Sequence, residues 1–173
     1  MDVKKIVVGN LLENCYILIK DKECLIVDPG DNSDLIISEV GKLNVLGVLI
    51  THHHFDHVGA LKEILDKYQV NLFDYQNGNN NYNIGPFSFE IISNPGHTKD
   101  SVSFYFEKEN TMFVGDFIFK NSIGRCDLPG GNFNEMQTSL TKIKNYSDNI
   151  ILYPGHGEST LLGDEKKFNP YFN

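Results

Sequence analysis

Short apolar runs, punctuated by glycine, proline and asparagine, set the plan of this chain. Residues 3–8, 15–20 and 23–27 are rich in β-branched side chains, and the third run stops at Asp28-Pro29-Gly30, a strong turn signal. The pattern predicts three successive strands. Across residues 33–43 the apolar positions Leu35, Ile36, Val40 and Leu43 fall near helical spacing, with capping candidates at Asp31 to Ser33. Residues 47–50 predict a short buried strand that runs into Thr51. Residues 58–68 predict a helix with Leu61, Ile64, Leu65 and Tyr68 on one face. The asparagine- and glycine-rich stretch 76–83 predicts a mobile loop. Strands are expected again at 87–92, 102–106 and 111–114. A long connection, 120–131, leads to a helix at 133–146 with Asn132 as its cap, and a last strand follows at 149–153. No internal repeat or linker interrupts the order, so one domain over residues 1–173 is expected.

Charge and composition narrow the partners. The formal net charge is −8, so a polyanion gains no general attraction and a nucleic-acid substrate is not expected. No run of about 18 apolar residues exists, so no membrane span is expected. Met1-Asp2-Val3-Lys4-Lys5 leads into a strand-like run and not into a signal peptide. Cys15, Cys24 and Cys126 lack metal-type spacing, which fits reduced thiols and a cytoplasmic setting. Cys15, inside Asn14-Cys15-Tyr16-Ile17, reads as a buried strand residue and not as a nucleophile.

The chemistry concentrates in Thr51-His52-His53-His54-Phe55-Asp56-His57. The two remaining histidines, of six in all, sit in Pro95-Gly96-His97-Thr98 and Tyr153-Pro154-Gly155-His156-Gly157, and a Gly115-Asp116 pair follows Met112-Phe113-Val114. His52, Asp116 and His156 each lie just past a predicted strand, so their side chains can gather at one sheet edge. Imidazole and carboxylate together ligate zinc, iron or manganese. On an extended backbone His52 and His54 point to the same side and can share one ion, while His53 points away and is left for packing or an outer hydrogen bond. Asp56 and His57, adjacent at the start of a helix, must splay and suit a second ion. His97 can complete the first site, His156 the second, and Asp116 can bridge. Gly59 removes bulk where the chain passes this crowd. Asp28 is a candidate to orient the histidine loop. Asp56 and Asp116 are the expected catalytic carboxylates. Lys120 and Arg125, in the loop after Asp116, are candidates to bind a substrate carboxylate.

These residues resemble the metallo-β-lactamase superfamily, and within it the glyoxalase II-like hydrolases of the short bacterial type. The resemblance runs through Asn14-Cys15-Tyr16, Asp28-Pro29-Gly30, the histidine motif, Pro95–Thr98, Gly115-Asp116, Ser122-Ile123-Gly124-Arg125, Leu128-Pro129-Gly130-Gly131-Asn132 and Pro154–Gly157. It implies an αββα sandwich with two metals at one edge of the facing sheets. It assigns His52, His54 and His97 to one metal, Asp56, His57 and His156 to the other, and Asp116 to both. It also implies no helical C-terminal domain of the kind that helps full-length glyoxalase II hold glutathione. Where those enzymes carry a glutathione-contacting tyrosine after the last histidine, this chain has Gly157-Glu158. Where they carry a lysine and then a tyrosine after the bridging aspartate, it has Arg125 and Asp127. The expected activity is binuclear, metal-dependent hydrolysis of a small acyl thioester such as S-lactoylglutathione. Zinc is the first expectation for the metal, with iron and manganese equally compatible with the donors. The alternatives are an iron-dependent redox enzyme of the same fold, persulfide dioxygenase-like, and a hydrolase of another ester, a lactone or a phosphodiester.

Overall fold

The computed structural model describes residues 1–172. Strands β1 (Asp2–Val8), β2 (Glu13–Lys20), β3 (Glu23–Val27), β4 (Asn44–Leu49) and β5 (Asn71–Phe73) form one sheet in the order β1-β2-β3-β4-β5. Strands β6 (Asn81–Ile84), β7 (Phe87–Ser93), β8 (Val102–Phe106), β9 (Thr111–Gly115), β12 (Ile151–Pro154) and β13 (Thr160–Leu161) form a second, in the order β13-β12-β9-β8-β7-β6. A small hairpin, β10 (Ile118–Phe119) and β11 (Ser122–Ile123), stands apart.

The period-2 geometry of a strand explains why β2 and β3 read as unbroken apolar runs. Tyr16 and Leu18 from β2, with Leu25 and Val27 from β3, face the second sheet and pack with Phe89, Phe104 and Phe113. The alternate residues Cys15, Ile17, Cys24 and Ile26 face outward, against Ile36 and Val40 of α1 (Ser33–Val40) and Ile64 of α3 (Leu61–Tyr68). On the far side of the second sheet, Met112, Val114 and Leu152 pack under Met136, Leu140 and Ile143 of α4 (Phe133–Ile143) and Leu162 of α5 (Leu162–Phe168). The layers therefore run helix, sheet, sheet, helix. Truncating an inter-sheet ring such as Phe104 to alanine costs about 3–5 kcal/mol by the usual cavity penalty.

Several elements differ from the sequence expectation, each for a tertiary reason. Helix α1 stops at Val40 and not at residue 43, because Gly41 takes a left-handed φ of 59° and returns its N–H to Ile37 O. The side-chain Oδ1 of its N-cap Asn32 accepts from Gly9 N at 2.9 Å and makes no bond to the helix. The helix expected over 58–68 is two pieces, α2 (Phe55–Val58) and α3. Ala60 N donates to Pro29 O at 3.0 Å, and a Cβ on Gly59 would lie 2.2 Å from Gly30 O, so the chain is pinned to the Asp28–Gly30 turn and the helical ladder breaks there. The stretch 76–83 is not a plain loop. Asp74 caps a 3-10 turn at Tyr75–Asn77, Asn79 Oδ1 accepts from Ser93 N at 2.6 Å, and Asn81–Ile84 is the edge strand β6. The connection 120–131 holds β11, and Asn121, at φ 60°, makes the turn of its hairpin. Helix α4 starts as expected, with Asn132 Oδ1 accepting from Asn134 N and Glu135 N. It ends at Ile143, where Asn145 and Tyr146 tighten into i→i+3 bonds. No element was expected after residue 153 other than the final histidine turn, yet β13 and α5 follow. Buried Glu165 of α5 accepts from Thr160 Oγ1, Asn121 N and Asn169 Nδ2, which ties this tail to the β10–β11 hairpin. Among the described residues no helix is long and apolar enough to cross a membrane.

Candidate metal centre

Four strand ends deliver the polar cluster to one edge of the two sheets. β4 runs into Thr51 and the extended His52–His54 segment; His54 itself has φ −65° and ψ 147°. β7 leads to His97, β9 to Asp116 and β12 to His156. Gly115 has φ 51°, and a Cβ there would meet Thr51 Oγ1 at 2.3 Å, so the Asp116 turn closes on the histidine loop only because it lacks a side chain.

The far nitrogens of the rings decide which nitrogen is left free. Thr51 Oγ1 donates to Asp28 Oδ2 at 2.6 Å, so it can only accept from His52 Nδ1, 3.1 Å away. His57 Nδ1 donates to the same Asp28 oxygen at 2.9 Å. His97 Nδ1 donates to Arg125 O at 2.7 Å, and His156 Nδ1 to Leu11 O at 3.1 Å. These acceptors assign the tautomers and leave the Nε2 lone pairs of His52, His57, His97 and His156 facing inward. His54 turns its Nδ1 in, 3.1 Å from His52 Nε2 and 2.9 Å from His97 Nε2.

The inward atoms fall into overlapping groups. Donor atoms of His52, His54 and His97 lie within 4.8 Å of one another, as do those of Asp56, His57 and His156, and those of His52, His57 and Asp116. Asp116 faces both sets. Its Oδ2 is 3.5 Å from His97 Nε2, and its Oδ1 is 3.4 Å from His57 Nε2 and 3.7 Å from His156 Nε2. Among the described residues, His57 Nε2 and Asp116 Oδ1 are buried without a hydrogen-bond partner. Facing lone pairs and orphaned buried acceptors are costly unless a cation sits between them. The donor set thus fits metal ions.

Protein charges alone already divide the cluster. Burial, then His57 and His97, holds His52 well below the usual imidazole range, and burial with His97 lowers His54. Burial opposes a charge on His57, but the facing carboxylates of Asp116 and Asp28 outweigh it and raise that group well above its ordinary value. Burial would raise Asp116 and Asp56, yet His57 outweighs it at the first and His156 at the second, and both are lowered. His156 is raised, chiefly by Asp56. The carboxylates stay ionised near neutrality and can act as anionic ligands.

His53 faces away. Its Nδ1 lies 2.7 Å from Asp100 Oδ2 and its Nε2 3.3 Å from Asp74 Oδ2, a clamp that fixes the outer side of the histidine loop. Asp28, at φ 47°, receives Thr51 N, Thr51 Oγ1 and His57 Nδ1. Arg125 lines the cleft beside the cluster, but its guanidinium holds Asp127 through two 2.8 Å bonds. Lys120 pairs with Glu158 at 2.8 Å and stands outside the cleft lining. Cys15 is fully buried in β2, as its run implied.

One buried group escaped sequence reasoning. Glu13, at the start of β2, is 1% exposed, and neither carboxyl oxygen has a hydrogen-bond partner among the described residues. Its Oε1 is 3.8 Å from His57 Nδ1, and its Oε2 fills the space a Cβ on Gly30 would take, at 2.6 Å. Burial pushes its pKa from 4.5 up to about 10, so it is a neutral acid behind the cluster. The only signal was its place immediately before Asn14-Cys15-Tyr16.

The cluster opens into a cleft of about 570 Å³ walled by Leu11, Phe55, Phe119, Ile123 and Leu128. The model of the metallo-beta-lactamase superfamily matches residues 8–77 and 76–156. The chain is 34% identical to a probable metallo-hydrolase, YqgX, of Bacillus subtilis, over all of this chain and 98% of the relative. It is 28% identical to the hydroxyacylglutathione hydrolase GloC of Haemophilus influenzae, over all of this chain and 99% of the relative. The crystal structure of BLEG-1, a B3 metallo-beta-lactamase, superposes with a TM-score of 0.94 at 30% identity, covering 99% of this chain and all of that one. Fold, inward-facing histidine–aspartate donors and sequence agree, and the chain belongs to the metallo-beta-lactamase superfamily, as a metal-binding hydrolase.

Proposed function

We propose that this protein is a binuclear metal-dependent hydrolase of acyl thioesters, with hydroxyacyl thioesters such as S-lactoylglutathione as reference substrates. The observation that carries this reading is the position of Asp116. One of its oxygens faces the His52, His54 and His97 group, and the other faces the Asp56, His57 and His156 group. A carboxylate so placed suits two cations held side by side, His52, His54 and His97 on one and Asp56, His57 and His156 on the other, with Asp116 shared. Two such ions, zinc first and iron or manganese as alternatives by donor type, would supply Lewis acidity and bring a water's pKa toward neutrality.

The chain's own residues do the rest. Asp28, Arg125 O and Leu11 O hold the imidazoles in the tautomer that keeps their lone pairs inward. Asp56 and Asp116, both ionised, flank the point where a carbonyl carbon enters from the cleft. A thiolate leaves without strong acid help because a thiol is far more acidic than an alcohol, so a thioester needs no dedicated acid beside the cleft. The relative named a hydroxyacylglutathione hydrolase supports the same substrate class. A cleft of about 570 Å³ supports a small-molecule partner.

The test is metal analysis of protein purified without added metal, then a panel of thioester, lactone, β-lactam, phosphodiester and persulfide substrates. About two metals per chain and thioester turnover that is lost on chelation and restored by metal are expected. Oxygen consumption with a persulfide, or β-lactam turnover without thioester turnover, would replace this reading.

A further inference from the structure

The turn between β1 and β2 is unusual in its chemistry. Gly9-Asn10-Leu11-Leu12 closes with Leu12 N bonded to Gly9 O at 3.3 Å, and Leu12 sits at φ 57°, a left-handed conformation that branched apolar residues rarely take. Leu11 and Leu12 are 53% and 65% exposed. Tight turns between strands favour asparagine, aspartate and glycine, and nothing in the fold needs two leucines in water here. Yet the turn is anchored on the metal centre, because Leu11 O accepts from His156 Nδ1 at 3.1 Å. Across the cleft Phe55, wedged in sequence between His54 and Asp56, is 74% exposed. With Phe119, Ile123 and Leu128, the side chains of Leu11 and Phe55 make an apolar rim around the polar donors. A rim of this kind marks a binding surface.

The charges on the rim point the same way. Arg125 is the one lysine or arginine among the described residues lining the cleft, and Asp127 occupies its fork bidentately through Nε and Nη2. Lys120, near the opening, is held by Glu158. A substrate carboxylate that approaches the Nε–Nη2 edge of Arg125 competes with a carboxylate already tethered two residues away. The exchange swaps one ion pair for another and adds the cost of immobilising a free ligand, in a chain whose net charge is −8.

We infer that the cleft selects thioesters whose non-reacting parts are uncharged and apolar, and that the Arg125–Asp127 pair disfavours thiols that carry carboxylates, such as glutathione. This rests on the thioester reading above and narrows it. The rim of Leu11, Phe55, Phe119, Ile123 and Leu128 takes the hydrocarbon, and Asp127 acts as a built-in competitor for the carboxylate that Arg125 would otherwise bind.

The test uses the metal-loaded protein and two readouts. Hydrolysis of N-acetylcysteamine thioesters should rise in kcat/KM by about tenfold from acetyl to hexanoyl, since each methylene enters an open apolar cleft. Phe55→Ala should flatten that dependence. Calorimetry compares two non-hydrolysable thioethers with the same alkyl chain, S-hexyl-N-acetylcysteamine and S-hexylglutathione. The neutral one should bind at least as tightly. Asp127→Ala should tighten S-hexylglutathione about tenfold and leave the neutral thioether unchanged, and Arg125→Ala in the same chain should remove the gain. A flat chain-length series, or tighter binding of S-hexylglutathione to the unmodified protein, would overturn the inference. If no thioester at all is hydrolysed, the thioester reading falls, and the calorimetric comparison still decides the selectivity by itself.

Discussion

Asp28 Oδ2 lies 2.9 Å from His57 Nδ1, and the carboxylate of Asp28 also receives the N–H and hydroxyl of Thr51. One buried side chain thereby aligns rings at both ends of the histidine loop, His57 directly and His52 through Thr51. Asp28→Asn keeps the size and tolerates the positive φ, but it replaces an acceptor with an amide that can face His57 with a donor. Affinity for the metal at the Asp56, His57 and His156 group should fall about 10–100-fold, the usual effect of removing an outer hydrogen bond to a ligating imidazole. Competition with a chromophoric chelator measures it. Unchanged affinity would show that His57 does not depend on Asp28 for its tautomer.

Asp116 and His53 form a contrast in one experiment. Asp116→Ala removes the carboxylate that faces both donor groups, so metal content should drop from about two per chain to below one and activity should follow. His53→Ala breaks only the outer clamp to Asp74 and Asp100, so both metals should stay. Elemental analysis of the two purified variants decides it, and two tightly held metals in Asp116→Ala would remove the bridging assignment.

Much of this layout is legible in the sequence, and the illegible part has a common cause. β2 and β3 can be read because residues buried on both faces leave continuous apolar runs. The histidine loop can be read because i, i+2 spacing on an extended backbone puts His52 and His54 on one side and His53 on the other. The break between α2 and α3 cannot be read locally, because it is made by Pro29 O and Gly30 O, far away in the chain. β6 was hidden because an edge strand of Asn81, Tyr82 and Asn83 needs only backbone pairing with β7, and its polar side chains face water. Glu13 was hidden because nothing in a strand's first residue says that its carboxyl turns inward. The Arg125–Asp127 pair was visible as two opposite charges two residues apart. Only the loop's geometry shows them locked bidentately.

Glu13 sets a pH dependence opposite to that of most carboxylates. Its carboxyl titrates near 4.5 when free and at about 10 in the fold. Between those values the folded chain keeps a proton that the unfolded chain releases, so this group's contribution is fully favourable below pH 4.5 and is lost progressively as pH rises toward 10. Glu13→Gln cannot ionise in either state. In chelator-treated protein the glutamine variant should melt close to the parent near pH 5 and on the order of 10 K above it near pH 8, since the linkage changes stability by about 1.4 kcal/mol per pH unit and about 1 kcal/mol moves Tm by 2–4 K at this size. A gap that stays constant with pH would mean that Glu13 is ionised and solvated in the fold.

Gly155 is where backbone and metal chemistry meet most closely. It follows β12, its N–H donates to Gly115 O at 2.9 Å, and its carbonyl accepts from Asn14 N at 2.7 Å, so it cannot retreat without breaking contacts to both sheets. A Cβ built on it would lie 2.4 Å from Asp116 Oδ1 and 2.5 Å from His57 Cε1. Neither neighbour can yield cheaply, because His57 is held by Asp28 and is fully buried. Gly155→Ala therefore pushes a methyl group into the gap between the shared carboxylate and the second donor group, with no backbone strain of its own, since Gly155 does not need a positive φ. The expected result is loss of the metal at the Asp56, His57 and His156 group, retention of far-ultraviolet circular dichroism, and a stability loss of the order of overpacking, about 1–3 kcal/mol, read as a lower Tm. Cobalt titration monitored by its absorption would show one binding step in place of two. Two unchanged steps would place the second donor group away from Gly155 and break the link between this turn and the centre.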